Sequence, residues 1–245
     1  NNCTRLINFT IPSSVSNIGD YAFAYCSSLT GIAITDSVTY IGDTAFIICS
    51  NLTSVTMGSN VTYIGWGAFY DCARLTSVVI PNSVSFIGPE AFARCIALAN
   101  VRIGNGVPVI GQWTFSYCYS LTSIAIPNSV SIIGWNAFYA CSNLTSLVVG
   151  NGVTNIEPGA VSFCTNLTRI YFAGSAPDVE EPSFFTPPAT IYRLPAATGW
   201  PPIPNQWEGC PTALWLPEAS DEGRLGVQEG QFGFNVTWAA GQTVV

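Results

Sequence analysis

The chain has 245 residues, enough for a sizeable core, and 49% of them are hydrophobic, yet only 9% are charged, well under the quarter or so of an average soluble domain. Histidine and lysine are absent, all seven basic residues are Arg, and the net charge is −7. That balance excludes a nucleic-acid binder, which needs a basic stripe to meet phosphates, and no apolar run reaches the roughly 18 residues that membrane insertion requires.

The charge is uneven. Residues 1–173 carry six acids and five Arg, and residues 174–245 carry eight acids and two Arg, so the second part holds −6 of the −7. The chain opens at Asn1 in mid-repeat without an initiator Met and stops at Val245 in a strand-like run, which reads as a processed or partial piece of a longer product.

Cysteine exposes a period. Cys3, Cys26, Cys49, Cys72, Cys95, Cys118, Cys141 and Cys164 stand 23 residues apart without a slip. A self-similar period in the twenties signals a solenoid of stacked coils. One position repeated in every coil makes a column at about the 4.8 Å strand spacing. Side chains in such a column run parallel rather than facing each other, a poor geometry for disulfides. No CxxC or CxxH pair offers a zinc site. The column is expected to hold buried free thiols that act as small hydrophobes, with Cys210 outside it and also free.

Each unit begins C-x-x-L-x-x-φ-x-φ, where φ is aliphatic or Phe, as in Leu52, Val55 and Met57 or Leu121, Ile124 and Ile126. Alternation with period two marks a strand with one buried face. Stacking predicts a parallel sheet whose outer face carries Thr10, Ala33, Thr56, Val79, Arg102, Ala125, Val148 and Tyr171. A turn follows, as at Pro81-Asn82 or Gly150-Asn151, and a Val (15, 38, 61, 84, 107, 130, 153) re-enters the core. Ile-Gly then bends the chain at Gly19, Gly42, Gly65, Gly88, Gly111 and Gly134, where a tight corner is expected to need φ > 0. Ala-Phe comes next, on a short helical or 3-10 turn, and Phe23, Phe46, Phe69, Phe92, Phe115 and Phe138 should fill the middle of the solenoid. A single unit cannot bury its apolar face; its neighbours do that. The expected fold is a mainly β repeat solenoid with a 23-residue period, a parallel β-sheet and short 3-10 or irregular turns.

Ile64-Gly65, Ala68-Phe69, Cys72, Leu75-Thr76-Ser77 and Val78-x-Ile80 recur with small changes over residues 1–173, and this pattern resembles the BspA-type leucine-rich repeat family. The resemblance implies a curved leucine-rich repeat solenoid of about eight repeats with its parallel sheet on the concave face. It also implies secreted or surface proteins used in adhesion and in host or cell contact, without enzyme activity in the repeats. At Ile156-Glu157 and Ala160-Val161 the Gly and the Phe are lost, as in a terminal repeat.

Residues 174–217 are dense in Pro and aromatics, among them Pro177, Phe184-Phe185, Trp200-Pro201-Pro202, Trp207 and Trp215. A disordered linker lacks so many large apolar residues. The segment reads as an ordered cap, with Ile191-Tyr192-Arg193-Leu194 as one last strand over the sheet edge. Residues 218–245 open with a polar hinge at 218–222. Residues 231–238 then alternate like a strand, either as the first hairpin of a further β domain or as an arm that pairs with another copy.

Catalysis finds little support. There is no His to serve as base and no Lys for imine chemistry. The thiols have no electropositive partner. Asp20 and Asp43 share a repeat position and should stand near each other, as a glycosidase pair does, but without a third group a solvated corner is expected. Asp178, Glu180 and Glu181, or Asp221 and Glu222, offer oxygens to Ca²⁺ without an EF-hand spacing and read as a solvated hinge. No catalytic residue, metal site or cofactor is therefore expected. Seven N-x-S/T sequons occur, at Asn2, Asn8, Asn51, Asn60, Asn143, Asn166 and Asn235. Three come from copying Asn-Leu-Thr, so they point only weakly to glycosylation.

The surface signal is aromatic. The second position after the core Val is Tyr40, Tyr63, Phe86, Val109 and Ile132 in five consecutive units. Trp66 and Trp135 share another position, and Trp113 sits one residue further along. Pointing outward, these side chains make an apolar flank, and exposed patches rich in Trp and Tyr mark contact surfaces. Pointing sideways, they lie half buried in the wall. Tyr40, Tyr63, Trp66, Phe86, Trp113 and Trp135, with Arg102 and Tyr171 on the sheet face, are the candidate binding residues.

The expected function is that of a non-enzymatic extracellular or cell-surface protein in adhesion, binding other proteins or surface glycans. One alternative is a structural subunit that self-associates end to end into an extracellular filament, through solenoid edges and the C-terminal run. Another is the repeat region of a larger secreted hydrolase.

Overall fold

The computed structural model describes residues 3, 5–180 and 189–215, and beyond them the backbone of four two-residue strands between 227 and 244. Each coil has three sides. The first is the expected sheet. Asn8–Thr10, Gly31–Ala33, Ser54–Thr56, Ser77–Val79 and Asn100–Arg102 pair in parallel, coil on coil. Ser123–Ile126, Ser146–Val149, Arg169–Phe172, Thr190–Arg193 and Cys210–Leu214 form a second parallel run. Ala125, Val148, Tyr171, Tyr192 and Ala213 stand in register across it. The strand at Thr190–Arg193 is thus not the last, since Cys210–Leu214 pairs beyond it. Among the described residues the outermost strand of this sheet is a two-residue antiparallel one, Gln206–Trp207.

The second side is a row of two-residue parallel strands. Asn17–Ile18, Tyr40–Ile41, Tyr63–Ile64 and Phe86–Ile87 form one group, and Val109–Ile110, Ile132–Ile133, Asn155–Ile156 and Asp178–Val179 the other. In each of these strands the Ile or Val points to the core side and its predecessor toward the wall, which places the Tyr40 row at the surface.

The third side departs from expectation. The Ala-Phe segment is neither α-helical nor 3-10; it is a ribbon of turns. Alternate N–H groups reach the next coil: Tyr21, Phe23 and Tyr25 donate to the carbonyls of Asp43, Ala45 and Ile47 at 3.0, 2.7 and 2.9 Å. The N–H groups between them, on Ala22, Ala24 and Cys26, close turns on Gly19, Tyr21 and Phe23 of their own coil. Every backbone donor from Tyr21 to Cys26 is thus satisfied, so a helix would add nothing there. The alternation demands two left-handed residues per coil. They are Tyr21 and Tyr25 (φ 54° and 60°), then Thr44 and Ile48, Gly67 and Asp71, Glu90 and Arg94, Trp113 and Tyr117, Asn136 and Ala140, and Gly159 and Phe163. A non-glycine residue there costs on the order of 1 kcal/mol. Glycine already holds the first position in two coils, at 67 and 159. Tyr21→Gly, at an exposed site, should therefore stabilise the fold by about 1 kcal/mol, read as a shift of the urea midpoint at constant slope.

The repeated corner glycines also have a different reason from the expected one. Gly19, Gly42, Gly65, Gly88, Gly111 and Gly134 do not take positive φ. Instead, at Gly42, Gly65, Gly88 and Gly134 the coils approach too closely for a side chain: a Cβ on Gly42 would lie 2.6 Å from the Asp20 nitrogen, and one on Gly88 would lie 2.4 Å from the Trp66 nitrogen, while one on Gly111 would meet nothing closer than 3.6 Å. Gly19, in the first coil, would meet nothing within 4 Å.

The three sides enclose columns. Phe23, Phe46, Phe69, Phe92, Phe115 and Phe138 stack with centroids 5.0–5.6 Å apart and planes within 8°. Cys26 through Cys164 are buried free thiols, whereas Cys3, at the first coil's edge, is exposed. From Cys49 onward each Sγ donates to the carbonyl of the Phe 26 residues earlier, at 3.1–3.4 Å. Desolvation by burial pushes the Cys49 thiol up to about 12. It drives Cys72, Cys118 and Cys141 well above the ordinary thiol range too. At the far end Phe172 meets Trp200 at 4.9 Å and Trp207 at 5.6 Å, and those two rings meet at 4.9 Å. Trp200 Nε1 donates to the Gly174 carbonyl, and Cys210 is buried and free beside this plug. In the tail, Val227–Gln228 pairs with Gln231–Phe232 and Val236–Thr237 with Thr243–Val244. The hinge at 218–222, and residues 233–235 and 238 of the expected strand, lie outside the described residues.

Candidate functional site: aromatic surfaces of the solenoid wall

Tyr40, Tyr63 and Phe86 lie in register on neighbouring two-residue strands. Their rings stack at 4.6 and 4.7 Å, both at 13°. Stacking covers ring faces and leaves edges to solvent, so Tyr40 and Tyr63 are half-buried while Phe86, at the end of the stack, is 44% exposed. Burial in the stack, with Asp43 and Tyr40 beside it, pushes the Tyr63 phenol up. Trp66 and Trp135 are 43% and 45% exposed, and Trp113 is half-buried. Trp66, Phe86 and Trp135 therefore stand out from the wall, whereas Tyr40, Tyr63, Val109, Ile132 and Trp113 lie half-buried in it.

The carboxylates of this corner serve the backbone. Asp20 Oδ1 accepts the Asp43 N–H and Asp43 Oδ1 accepts the Trp66 N–H, both at 2.8 Å. The two acids do come near each other through the stacking, and each caps the next coil. Trp135 is held from the other side: its N–H donates to Glu157 Oε2 at 2.8 Å. The buried Asn136 amide, in the orientation that satisfies both its ends, accepts Trp135 Nε1–H and donates to the Gly159 carbonyl, each at 3.2 Å.

Trp113 does not extend the Tyr40 row. It joins a second aromatic group on the turn side that the sequence pattern misses. Trp113 meets Trp135 edge-on at 5.3 Å and Tyr139 at 5.3 Å, and lies 6.3 Å from Tyr117. Tyr139 continues to Tyr117 at 5.4 Å and Phe163 at 5.0 Å, and Tyr117 to Tyr119 at 6.2 Å. The Arg94 guanidinium lies over the Tyr117 ring, 5.9 Å from its centroid. Only the shared position just before each Cys could have signalled this group, and it reads Tyr25, Ile48, Asp71, Arg94, Tyr117, Ala140, Phe163, with no copied letter.

On the sheet, Arg102 is exposed beside an exposed Val79. Tyr171 lies three coils away, stacked on Tyr192 at 4.8 Å and against Trp215 at 5.4 Å. Burial raises the Tyr171 phenol, and Arg169 opposes that shift. The fold does not bring Arg102 and Tyr171 together. At the other end of the sheet, Asn8, Thr10, Gly31, Ala33, Ser54 and Thr56 line an open depression of about 300 Å³. Among the described residues no group of three or more Cys, Asp or Glu is placed to hold a metal ion. Glu181, Asp221 and Glu222 lie outside them. Two sequon amides serve coil stacking: Asn51 Nδ2 donates to the Ser27 carbonyl at 2.6 Å and Asn60 Nδ2 to the Asp36 carbonyl at 2.8 Å.

Stacked parallel strands on a 23-residue period, with a Leu and a Cys column inside, define a leucine-rich repeat solenoid. The chain belongs to the BspA-type leucine-rich repeat family, whose model, BspA type Leucine rich repeat region, matches six copies over residues 1–98 and 67–188. Among solved structures it is similar to the leucine-rich repeat protein of T. pallidum, at 27% identity and a TM-score of 0.53, over 76% of this chain and 74% of that one. It is also similar to a leucine-rich cell surface protein of Faecalibacterium prausnitzii, at 28% identity and a TM-score of 0.48, over 71% of this chain. That second match spans 61% of the Faecalibacterium chain. A search of curated proteins finds no match. No helix among the described residues is long and apolar enough to cross a membrane.

Proposed function

We propose that this protein is a non-catalytic interaction protein of the cell surface or extracellular space, and that it binds partner proteins through the aromatic flank of its solenoid. The observation that carries this reading is the exposure of Trp66, Phe86 and Trp135, each above two-fifths, on a wall whose backbone is bonded coil to coil. A rigid wall presents large rings without ordering them on binding, so little conformational entropy is lost. Trp and Tyr dominate binding hot spots. The nearly uncharged wall leaves contact area rather than charge to supply the affinity, and stacked repeats offer a broad surface for it. Family membership supports an adhesive role.

The test is binding of the purified chain to a panel of extracellular proteins by biolayer interferometry. A Trp66→Ala, Phe86→Ala double variant should weaken the partner it finds by about a hundredfold, in line with two hot-spot residues. Its melting temperature should stay near that of the parent, because both rings are exposed. Unchanged affinity in that variant, or no partner in the panel, would overturn the reading.

A further inference from the structure

The turn-side aromatic group has features that a protein-binding flank does not require. Its rings do not stack in parallel like Tyr40, Tyr63 and Phe86; they meet at 55° to 79° in five of six contacts. Parallel stacking hides ring faces, whereas tilted packing leaves some of them uncovered by a neighbouring ring. Trp135, Tyr119 and Phe163 are exposed, and three of the group are tyrosines that carry a hydroxyl beside the apolar surface. At its rim sits Arg94, exposed, over the Tyr117 face. Among the described residues Arg94 makes no ion pair, although Asp71 occupies its position one coil earlier. The chain is acidic overall, and residues 1–173 carry only five Arg. Set against a tyrosine face and exposed to solvent, this guanidinium is open to a carboxylate from outside the chain.

We propose that this surface is a carbohydrate site for an acidic sugar residue. The inference deepens the interaction reading above and rests on it. A pyranose ring has an apolar face of C–H groups that lies on an aromatic ring, equatorial hydroxyls that meet tyrosine hydroxyls, and, in a uronic or sialic acid, one carboxylate. Arg is the cation suited to a carboxylate because its planar fork matches both oxygens. The ring group supplies the face, Tyr117, Tyr119 and Tyr139 the hydroxyls, and Arg94 the charge. Trp135 is oriented from below by the Asn136 amide and from behind by Glu157, so its indole is already placed. A neutral glycan would leave Arg94 unused, and an acidic peptide would leave the ring faces without a matching flat C–H surface.

Titration calorimetry with a galacturonic acid trimer, its methyl ester and poly-glutamate separates these possibilities. The acidic trimer should bind, and the ester, which keeps the ring and removes the charge, should bind at least tenfold more weakly. Arg94→Gln should bring the acid down to the level of the ester, while Tyr117→Ala should weaken both. Raising salt should weaken the acid and leave the ester unchanged. Phe86→Ala lies outside the group and should leave the sugar affinity intact, just as Arg94→Gln should leave a protein partner bound at Phe86 unaffected. A failure here is thereby distinct from a failure of the flank. The proposal is overturned if neither sugar binds, if acid and ester bind alike, or if poly-glutamate displaces the trimer at equal carboxylate concentration. Circular dichroism melts of each variant confirm that the fold is retained, and Arg94→Gln, at an exposed side chain, keeps the test open if Tyr117→Ala does not fold.

Discussion

Above about pH 9 the protein should lose stability steeply and then unfold, while between pH 6 and 8 its stability should barely change. The cause is the thiol column. Cys49, Cys72, Cys95, Cys118 and Cys141 are all held above the ordinary value of 9.0, in each case chiefly because burial disfavours the thiolate. A folded-state pKa above the unfolded one means that the folded chain keeps protons the unfolded chain releases. The stabilisation is complete below the unfolded value and is lost as pH rises toward the folded one, which for Cys49 is about 12. Between those limits each thiol costs about 1.4 kcal/mol per pH unit. Five of them cost about 7 kcal/mol per unit, comparable to the whole stability of a typical domain at roughly 5–15 kcal/mol.

The composition makes this measurement clean. With no Lys and no His, the other side chains that titrate in this range are the four remaining thiols and the ten tyrosines. Tyr63, Tyr117 and Tyr171, also raised by burial, push in the same direction at higher pH. Urea unfolding at half-unit steps from pH 7 to 10.5 gives the slope directly. Cys118→Ala, whatever its cost at neutral pH, should flatten that slope by about 1.4 kcal/mol per unit. A stability that stays level through pH 10.5 would show that the thiols ionise as freely in the coil as in the unfolded chain.

The thiol column is legible in the sequence because of how coils are built. A position buried between two identical neighbours must satisfy the same volume above and below, so the residue is copied, and Cys, Phe, Leu and Val recur in step. Copying also makes the sheet register readable, since Ala125, Val148 and Tyr171 follow from the count alone. Where one letter answers two physical demands the reading fails. Glycine serves positive φ and close approach equally well, and only coordinates separate them: Gly67 takes the first role and Gly88 the second. The turn ribbon fails for another reason. Its left-handed residues range from Gly to Ile and Trp, so no propensity signals a conformation that the hydrogen bonds between coils impose.

The surfaces divide along the same line. The Tyr40 row and the Trp66–Trp135 position are repeated, and sequence alone finds them. The cluster around Tyr117 and Tyr139 is drawn from five different repeat positions in three neighbouring coils and takes shape only when the coils stack. Solenoids carry their architecture in what repeats and their specificity in what does not. A site of the second kind is invisible to any method that averages over units.

Two alanines placed at one repeat position should give opposite results. Gly88→Ala should destabilise the fold by about 3 kcal/mol, through overpacking against backbone. Its Cβ would lie 2.4 Å from the Trp66 nitrogen, 2.6 Å from the Gly65 carbonyl carbon and 2.8 Å from the Trp66 Cα, all main-chain atoms that cannot swing aside. Relief requires the coils to separate. That would stretch the Gly88 N–H bond to the Ile64 carbonyl, now 2.8 Å, and loosen the Phe69–Phe92 stack a few residues on. Gly111→Ala, one coil later, should change stability by less than about 0.5 kcal/mol, because its Cβ meets only Ile87 O and Thr114 Oγ1, each at an ordinary 3.6 Å. At this chain length 3 kcal/mol corresponds to a fall of roughly 6–12 °C in melting temperature, so the pair is easily resolved by thermal denaturation. If both variants melt together, coil separation is uniform along the solenoid and close approach is not what selects glycine at position 88. If Gly88→Ala alone falls, the spacing between coils is set locally by main-chain contact. The wall that carries Trp66 and Phe86 then owes its coil spacing to a residue with no side chain at all.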